Sequence, residues 1–311
     1  GWWGLQPVIL TNRKGLQTRL FDPTQPDSVL KELLGEGNVS VPAASLEITR
    51  LKSVDDSRLY DVVVALEVKD TESRLHVWTQ LADNEDLNAV PSYKFLDQTR
   101  AKNETPGTLN PFVNTGSDRL FLTLWSPQLE RAVVQCVWID QHGIPQFVKK
   151  GTTVIHATTI NVGQSISLAT SLNGDESQPI LYCGRDDRRL DAINHNGEML
   201  MSTELAEVAT ALCVLTDSGR PFLAATLTGN RNAVSVLDGH TGQILRHFND
   251  SDSAQGCGRL FLQGEPVLAC SVEGKDQQSR QVQLYRIALS ALRPGNLFLL
   301  TQADFEDLFS P

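Results

Sequence analysis

Arg220-Pro-Phe-Leu-Ala-Ala-Thr226, a polar turn around Gly229 and Asn230, Ala233-Val-Ser-Val-Leu237, then Asp238-Gly-His-Thr-Gly-Gln-Ile-Leu245 form the most legible stretch of the chain. A short apolar run leads through a turn into a second run. A turn rich in Asp and Gly then leads into the start of a third. Period-two alternation between runs, and turn residues where the alternation stops, predict an antiparallel meander.

The phrase recurs. Gln178-Pro-Ile-Leu-Tyr-Cys-Gly184 leads to Leu190-Asp-Ala-Ile-Asn194 and then His195-Asn-Gly-Glu-Met-Leu200. Glu265-Pro-Val-Leu-Ala-Cys-Ser271 leads to Val282-Gln-Leu-Tyr-Arg-Ile287, and Gln6-Pro-Val-Ile-Leu-Thr11 leads to Thr18-Arg-Leu-Phe-Asp22. Two copies lack the proline: Tyr60 to Leu66 with Leu75-His-Val-Trp78, and Arg119 to Leu124 with Val134 to Asp140. With Pro7, Asp61, Arg119, Pro179, Pro221 and Pro266 as equivalent anchors, the successive gaps are 54, 58, 60, 42 and 45 residues. The 52 residues left over make one more unit of the same size. Repeats of about 40–50 residues holding several short strands predict propeller blades. The expected fold is therefore all-β, a single β-propeller over residues 1–311 with about six four-stranded blades, or seven if the long early gaps hide a degenerate one.

Helical signals are few. Asp27-Ser-Val-Leu-Lys-Glu-Leu-Leu-Gly35 has a cap, apolar spacing and a terminating glycine, and predicts one short helix. Met199 to Ala211 has helical composition, but the repeat demands a strand near Ala209 to Leu215, and the strand is favoured. Residues 302–311 read as a helical turn or a frayed end, and Asp97 to Asn114 as an inserted loop.

The copy from Ala209 to Phe248 resembles a blade of WD-repeat proteins. Thr210 to Leu215 would be its inner strand, and Leu237-Asp238 stands where that family often has Trp-Asp. Val77-Trp78-Thr79 and Val137-Trp-Ile-Asp140 are related endings. Leu237 to Leu245 is similar to the turn of quinoprotein-type propellers. The family's Gly-His before the inner strand is absent, since Gly239-His240 follows the Asp in a different turn. What the resemblance implies is a non-catalytic interaction scaffold or sensor module that binds a protein partner through rim loops. The alternative is a central-channel enzyme or small-ligand receptor of quinoprotein or lyase type.

Composition narrows the partner. The 311 residues carry a formal charge of −10, with 41% hydrophobic and 6% aromatic residues, so the core is largely aliphatic. Nucleic-acid binders display a basic stripe. Here Arg185, Arg188 and Arg189 are interleaved with Asp186, Asp187 and Asp191, which argues against nucleic acid. The expected partner is a protein of basic or mixed charge, or the remainder of a larger assembly.

No catalytic residue, cofactor or metal is read from the sequence. Gly-x-Ser-x-Gly, P-loop and GxGxxG patterns are absent. The histidines (76, 142, 156, 195, 240 and 247) lack ligand spacing, and Asp250-Ser-Asp252 lacks the rest of a calcium loop. The five cysteines, Cys136, Cys183, Cys213, Cys257 and Cys270, are odd in number and without CxxC pairs, and read as small hydrophobes.

Partner contact falls to Trp2 and Trp3, of which a strand would expose one, and to His195 and His240 in equivalent turns. The other reading of Trp2 and Trp3 is a closing strand packed on the last blade. No run is apolar enough to span a bilayer. The Gly1 start is consistent with excision from a longer chain. The cytoplasm is favoured, and sequons at Asn38, Asn103 and Asn249 keep a secreted origin open.

Overall fold

Apolar runs of five to ten residues separated by turn residues can satisfy their backbone groups only by pairing with neighbours, and short turns make those neighbours sequential. The computed structural model does so six times. It describes residues 2–299 except 13–16, 23–24, 56, 69–71, 87–88, 100–108, 113–117, 127–129, 148–156, 173–178, 218–219, 229–232, 250–252, 263–264, 274–279 and 288–296.

Blade II runs through Ser45–Lys52, Leu59–Val68, Glu72–Leu81 and Ser92–Thr99, each strand antiparallel to the one before. Blade IV uses Ser165–Leu172, Pro179–Arg185, Arg189–Asn194 and Met199–Glu204. Blade V uses Ala209–Asp217, Arg220–Leu227, Ala233–Asp238 and Ile244–Asn249, and blade VI uses Ser253–Leu262, Glu265–Glu273, Arg280–Ile287 and Leu297–Leu299. Blade III has Leu109–Phe112, Arg119–Ser126, Arg131–Ile139 and Pro145–Phe147, with Ala157–Asn161 added along Arg131–Ile139.

Blade I is a three-stranded sheet, Ile9–Asn12, Thr18–Asp22 and Gln25–Glu32, preceded by a ribbon of Trp2–Trp3 and Gln6–Pro7. Residues 6–12 thus pair with Trp2–Trp3 at one end and with Thr18–Asp22 at the other, interrupted at the buried Val8. Taken as one broken strand, they complete a fourth run.

Five of the six anchors fall in the second strand of their blade. Arg119 and Pro179 open theirs, Pro221 and Pro266 come second, and Asp61 third. Proline is tolerated at these strand starts, where the ladder loses least.

The chain divides into two compact units, 1–161 and 162–311. In the first, period-two alternation sends the second strand of blade II into two cores at once. Val62, Val64 and Leu66 pack with Leu120, Leu122 and Ile139 of blade III. Val63 and Ala65 pack with Leu20 and Leu33 on the blade I side, beside Trp78. A strand buried on both faces reads as an unbroken apolar run, which is why Val62-Val-Val-Ala-Leu66 shows no polar alternation. In the second unit, Cys213, Leu215, Phe222 and Ala224 of blade V meet Leu268 and Cys270 of blade VI.

The helix expected over Asp27 to Gly35 does not form. Gln25–Glu32 is a strand paired with Thr18–Asp22, with two register irregularities, and Leu33 N–H continues the pairing to Thr18 O at 2.9 Å. A nine-residue helix is marginal alone, whereas the strand satisfies the open edge of Thr18–Asp22 and buries Leu33 completely. Among the described residues the one helical piece is a 3-10 turn at Glu36–Asn38. Met199 to Ala211 is strand on both sides of a bend, as the repeat requires. The 302–311 tail and the Asp250–Asp252 stretch lie outside the described residues.

Candidate functional site

In blades III, IV and V the third strand ends on or just before an Asx residue and turns back through a hairpin that carries histidine and glycine. In Asp140-Gln-His-Gly-Ile144, Asp140 N–H donates to Ile144 O at 3.1 Å and Gly143 N–H to Asp140 O at 3.0 Å. Asp140 Oδ1 accepts from the N–H groups of His142 and Ile144, both at 2.9 Å. Asn194-His-Asn-Gly-Glu198 repeats this bond for bond, with Asn194 Oδ1 accepting from Asn196 and Glu198, both at 2.9 Å. Asp238 to Gln243 is one residue longer; Asp238 Oδ1 accepts from His240 at 2.9 Å and Thr241 at 3.0 Å. An Asx side chain that bonds the backbone two and more residues on is the physical reason these residue types stand there. Each hairpin leaves its histidine at the same edge of its own blade: His142 and His240 are exposed and His195 is half-buried.

Burial would raise the Asp140 carboxyl. Hydrogen bonds from Ile144 N–H, the Gln146 amide and His142 N–H outweigh burial and hold it below its ordinary value. Gly143 is favoured on two counts: its φ is 77°, and a Cβ there would lie 2.6 Å from the Tyr60 ring.

The blade III hairpin opens onto a cleft. Within the first unit it is tied to the turn joining the first two strands of blade II. Gln141 N–H donates to Asp55 Oδ2 at 3.1 Å and Val54 N–H to Ile139 O at 3.2 Å; Arg58 Nη2 donates to Gln141 O at 3.3 Å. Thr79 Oγ1 donates to Gly143 O. The residues from Ala82 to Pro91, described except for 87–88, form the facing wall. They are held by Gln80 Nε2 to Asp86 O at 3.5 Å and by a bond from Lys31 Nζ to Ala89 O. The resulting open space is about 400 Å³. Among the described residues that line it, Arg58 and His142 are the basic side chains. Exposed carboxylates, Asp55, Asp83, Glu85 and Asp86, stand in the flanking turns.

Sequence reading singled out His195 and His240 and missed His142, Arg58 and the cleft. The Asp140-Gln-His-Gly143 phrase was a usable signal for His142, because it shares an Asx, a histidine and a following glycine with the turns at Asn194 and Asp238, at differing offsets. Arg58 had none, since it meets His142 only through the pairing of two blades. Of the paired tryptophans, Trp3 is 1% exposed and packs in the core of its unit, with its indole N–H buried and unbonded. The side chain of Trp2 lies outside the described residues.

The remaining candidate groups are built into cores. His76 is fully enclosed, with Nε2 2.8 Å from Glu67 Oε2 and Nδ1 2.8 Å from Tyr93 Oη, and it stacks on Trp78 at 5.8 Å. The Trp78 indole N–H donates to Leu34 O at 2.7 Å. The five cysteines carry thiols, not disulfides. Burial pushes Cys136 up to about 12 and Cys183 up to about 11, so neither is a nucleophile at neutral pH. The arginine cluster is internally neutralised: Arg185 Nε lies 2.7 Å from Asp191, Arg189 Nε 2.7 Å from Asp187, and Arg188 3.8 Å from Glu204. Among the described residues, no group of three His, Cys, Asp or Glu side chains could hold a metal ion, and no helix is long and apolar enough to cross a membrane.

No protein-family model matches the chain, and no curated protein sequence matches it. Solved structures do. BBS1N, crystallised in complex with ARL6DN, is similar with a TM-score of 0.54 at 11% identity, over 92% of this chain and 80% of that one. A chain of the mitotic checkpoint complex gives 0.50 at 11% identity, over 96% and 77%. A D477G ACO/RPE65 chimera gives 0.53 at 12% identity, over 92% and 67%. Identities this low speak to fold alone. The repeated four-stranded meanders and these likenesses together make the fold of the chain a β-propeller.

Proposed function

We propose that the chain is a non-catalytic protein-interaction module that presents the Asx–His–Gly edge of its blades to a protein partner. The observation that carries this reading is an Asx-held hairpin carrying a histidine that follows the third strand in blade III of the first unit and in blades IV and V of the second. Residues on tight turns held by a stiff sheet define a surface at little entropic cost. His195 and His240, in neighbouring blades of the second unit, form that surface by this reading, and His142 stands on the related hairpin of the first unit. Two of the similar structures are of protein complexes by their titles, which agrees with the proposal. The reading also takes residues 1–311 as one domain, for which a single cooperative unfolding transition sensed in both units is the check.

The alternative, an enzyme or small-ligand receptor, has the ACO/RPE65 likeness on its side. The raised thiols of Cys136 and Cys183 and the internally paired arginines do not favour it.

The deciding experiment reconstitutes a complex with a purified partner and compares His142→Glu, His195→Glu and His240→Glu with Arg188→Glu, on the opposite edge of blade IV. Loss of about tenfold or more in affinity with the histidine variants, and none with Arg188→Glu, is the expected result. The opposite ranking, or turnover of a small substrate by the isolated chain, overturns the proposal.

A further inference from the structure

We infer that Cys257 is a site of oxidation by hydroperoxides, and that Cys213 resolves the oxidised form by closing a disulfide between blades V and VI. The inference concerns the second unit alone and stands apart from the interaction reading above.

The two thiols meet between blades. Cys213 lies in the first strand of blade V and Cys257 in the first strand of blade VI, and both belong to one cluster with Phe222, Ala224, Leu268 and Cys270. Ala224 stands directly opposite Cys213 in the blade V ladder, and Cys257 Sγ donates to the Ala224 carbonyl at 3.6 Å. That bond crosses from one blade to the next and sets the Cys257 sulfur beside the Cys213–Ala224 pair.

The surroundings separate Cys257 from the other thiols. It is half-buried, whereas Cys136, Cys183, Cys213 and Cys270 are buried, so an oxidant from solvent reaches Cys257 first. Thr226 shares a strand face with Ala224 and is fully buried. Its hydroxyl makes no hydrogen bond of ordinary geometry, yet is close enough to Cys257 to help lower that thiol. Hydrogen bonding from Cys213, with Thr226 added, outweighs burial and holds Cys257 below its ordinary value. Cys270 lies opposite Cys257 in the blade VI ladder. Opposed β carbons stand about 4.5–5.5 Å apart, wider than a disulfide takes, so Cys270 is the poorer partner.

The chemistry balances with one hydroperoxide. The Cys257 thiolate attacks the peroxide, the O–O bond breaks, and the departing hydroxide takes up the thiol's proton as water, leaving Cys257 as the sulfenic acid. Cys213 sulfur then attacks the sulfenic sulfur, the S–O bond breaks, and a second water leaves with the Cys213 proton. Two thiols are oxidised and the peroxide is reduced. Thr226 is a positioning residue that donates to the thiolate.

The test treats the whole reduced chain with a small molar excess of hydrogen peroxide, unfolds it in N-ethylmaleimide and maps the peptides by mass. Two fewer of the five thiols are expected to take the label, with Cys213 and Cys257 joined. Cys213→Ser is expected to leave Cys257 as a sulfenic acid that dimedone traps, and Cys270→Ser to leave the link intact. Thr226→Val is expected to slow alkylation of reduced Cys257 by iodoacetamide about tenfold at pH 7 and move its pH profile upward, and Thr226→Ser to restore both. Thermal melts separate these effects from loss of fold, and the map of the unsubstituted chain needs no variant. Full labelling after peroxide, a Cys257–Cys270 link, oxidation of Cys136 or Cys183 as fast as Cys257, or an equal yield of the link from the urea-unfolded chain overturns the inference.

Discussion

The hairpins of blades III and V are both held by an aspartate side chain, the second one residue longer, and end in opposite circumstances. At Asp238 to Gln243 the neighbours close in. Tyr182 Oη donates to Gly239 O at 3.0 Å, Thr203 Oγ1 donates to Gly242 O at 3.2 Å, and a Cβ on Gly242 would lie 2.1 Å from that hydroxyl. At Asp140 to Ile144 the neighbours hold one flank only, through Tyr60, Thr79 and Asp55, and leave a cleft on the other. The local sequence therefore decides the backbone of the turn, and the packed neighbour decides whether the turn becomes a filled joint or a site. The hairpin of blade IV is the control, since a Cβ on Gly197 would meet nothing within 4 Å.

The glycines should separate these contributions most sharply. All three have positive φ, 77° at Gly143, 71° at Gly242 and 84° at Gly197. Alanine at Gly197 pays only the left-handed backbone, about 1 kcal/mol. Gly143→Ala must also displace the Tyr60 ring, 5% exposed and part of the blade II–III core, and is expected to lose about 3 kcal/mol. Gly242→Ala meets a hydroxyl and the Met201 thioether, both able to rotate away, and should fall between the two. Urea midpoints of the three variants measure this order. Equal losses would mean that the neighbours yield freely and that the contrast between filled joint and open site has no energetic content.

The two aspartates come next. Asp238 is 1% exposed, so Asp238→Ala leaves the N–H groups of His240 and Thr241 without their acceptor in a closed joint, an expected cost of about 2 kcal/mol. Asp140 is half-buried beside solvent, where water can take over from its carboxylate, and Asp140→Ala is expected to cost about 1 kcal/mol. Hydrogen exchange at His142 and His240 amides reads the same difference locally. Faster exchange at His142 than at His240 in the respective variants would reverse it.

How much of this was legible in the sequence follows the same division. The blades could be read because each is a local meander whose strands, turns and prolines lie within about 50 residues. The segment Asp27 to Gly35 was misread because its cap and spacing are local, while the vacancy along Thr18–Asp22 that it fills is not. The hairpin histidines at 195 and 240 were legible as equivalent turns. The cleft was not, because Arg58 and His142 are 84 residues apart and only the register between neighbouring blades brings their turns together. Nor could the burial of Trp3 be read from two adjacent tryptophans, of which a strand buries either one.

The smallest effect is the most diagnostic of the turn itself. The native Asp140 carboxyl is held below its unfolded value, so the folded chain binds fewer protons there than the unfolded one. Its contribution to stability is complete above the ordinary carboxylate range and is lost as pH falls through the lowered native value. Asn194 shows that a neutral amide can support the same two backbone bonds. Asp140→Asn should therefore keep the hairpin, lose about 0.5–1 kcal/mol near neutral pH with the charged acceptor, and close that gap as the pH drops below about 4. Urea midpoints of the two proteins between pH 7 and pH 3 report the gap directly. A gap that stays constant across that range would show that the hairpin depends on the shape of the Asx side chain alone, and that blades III and IV differ in charge without differing in energy.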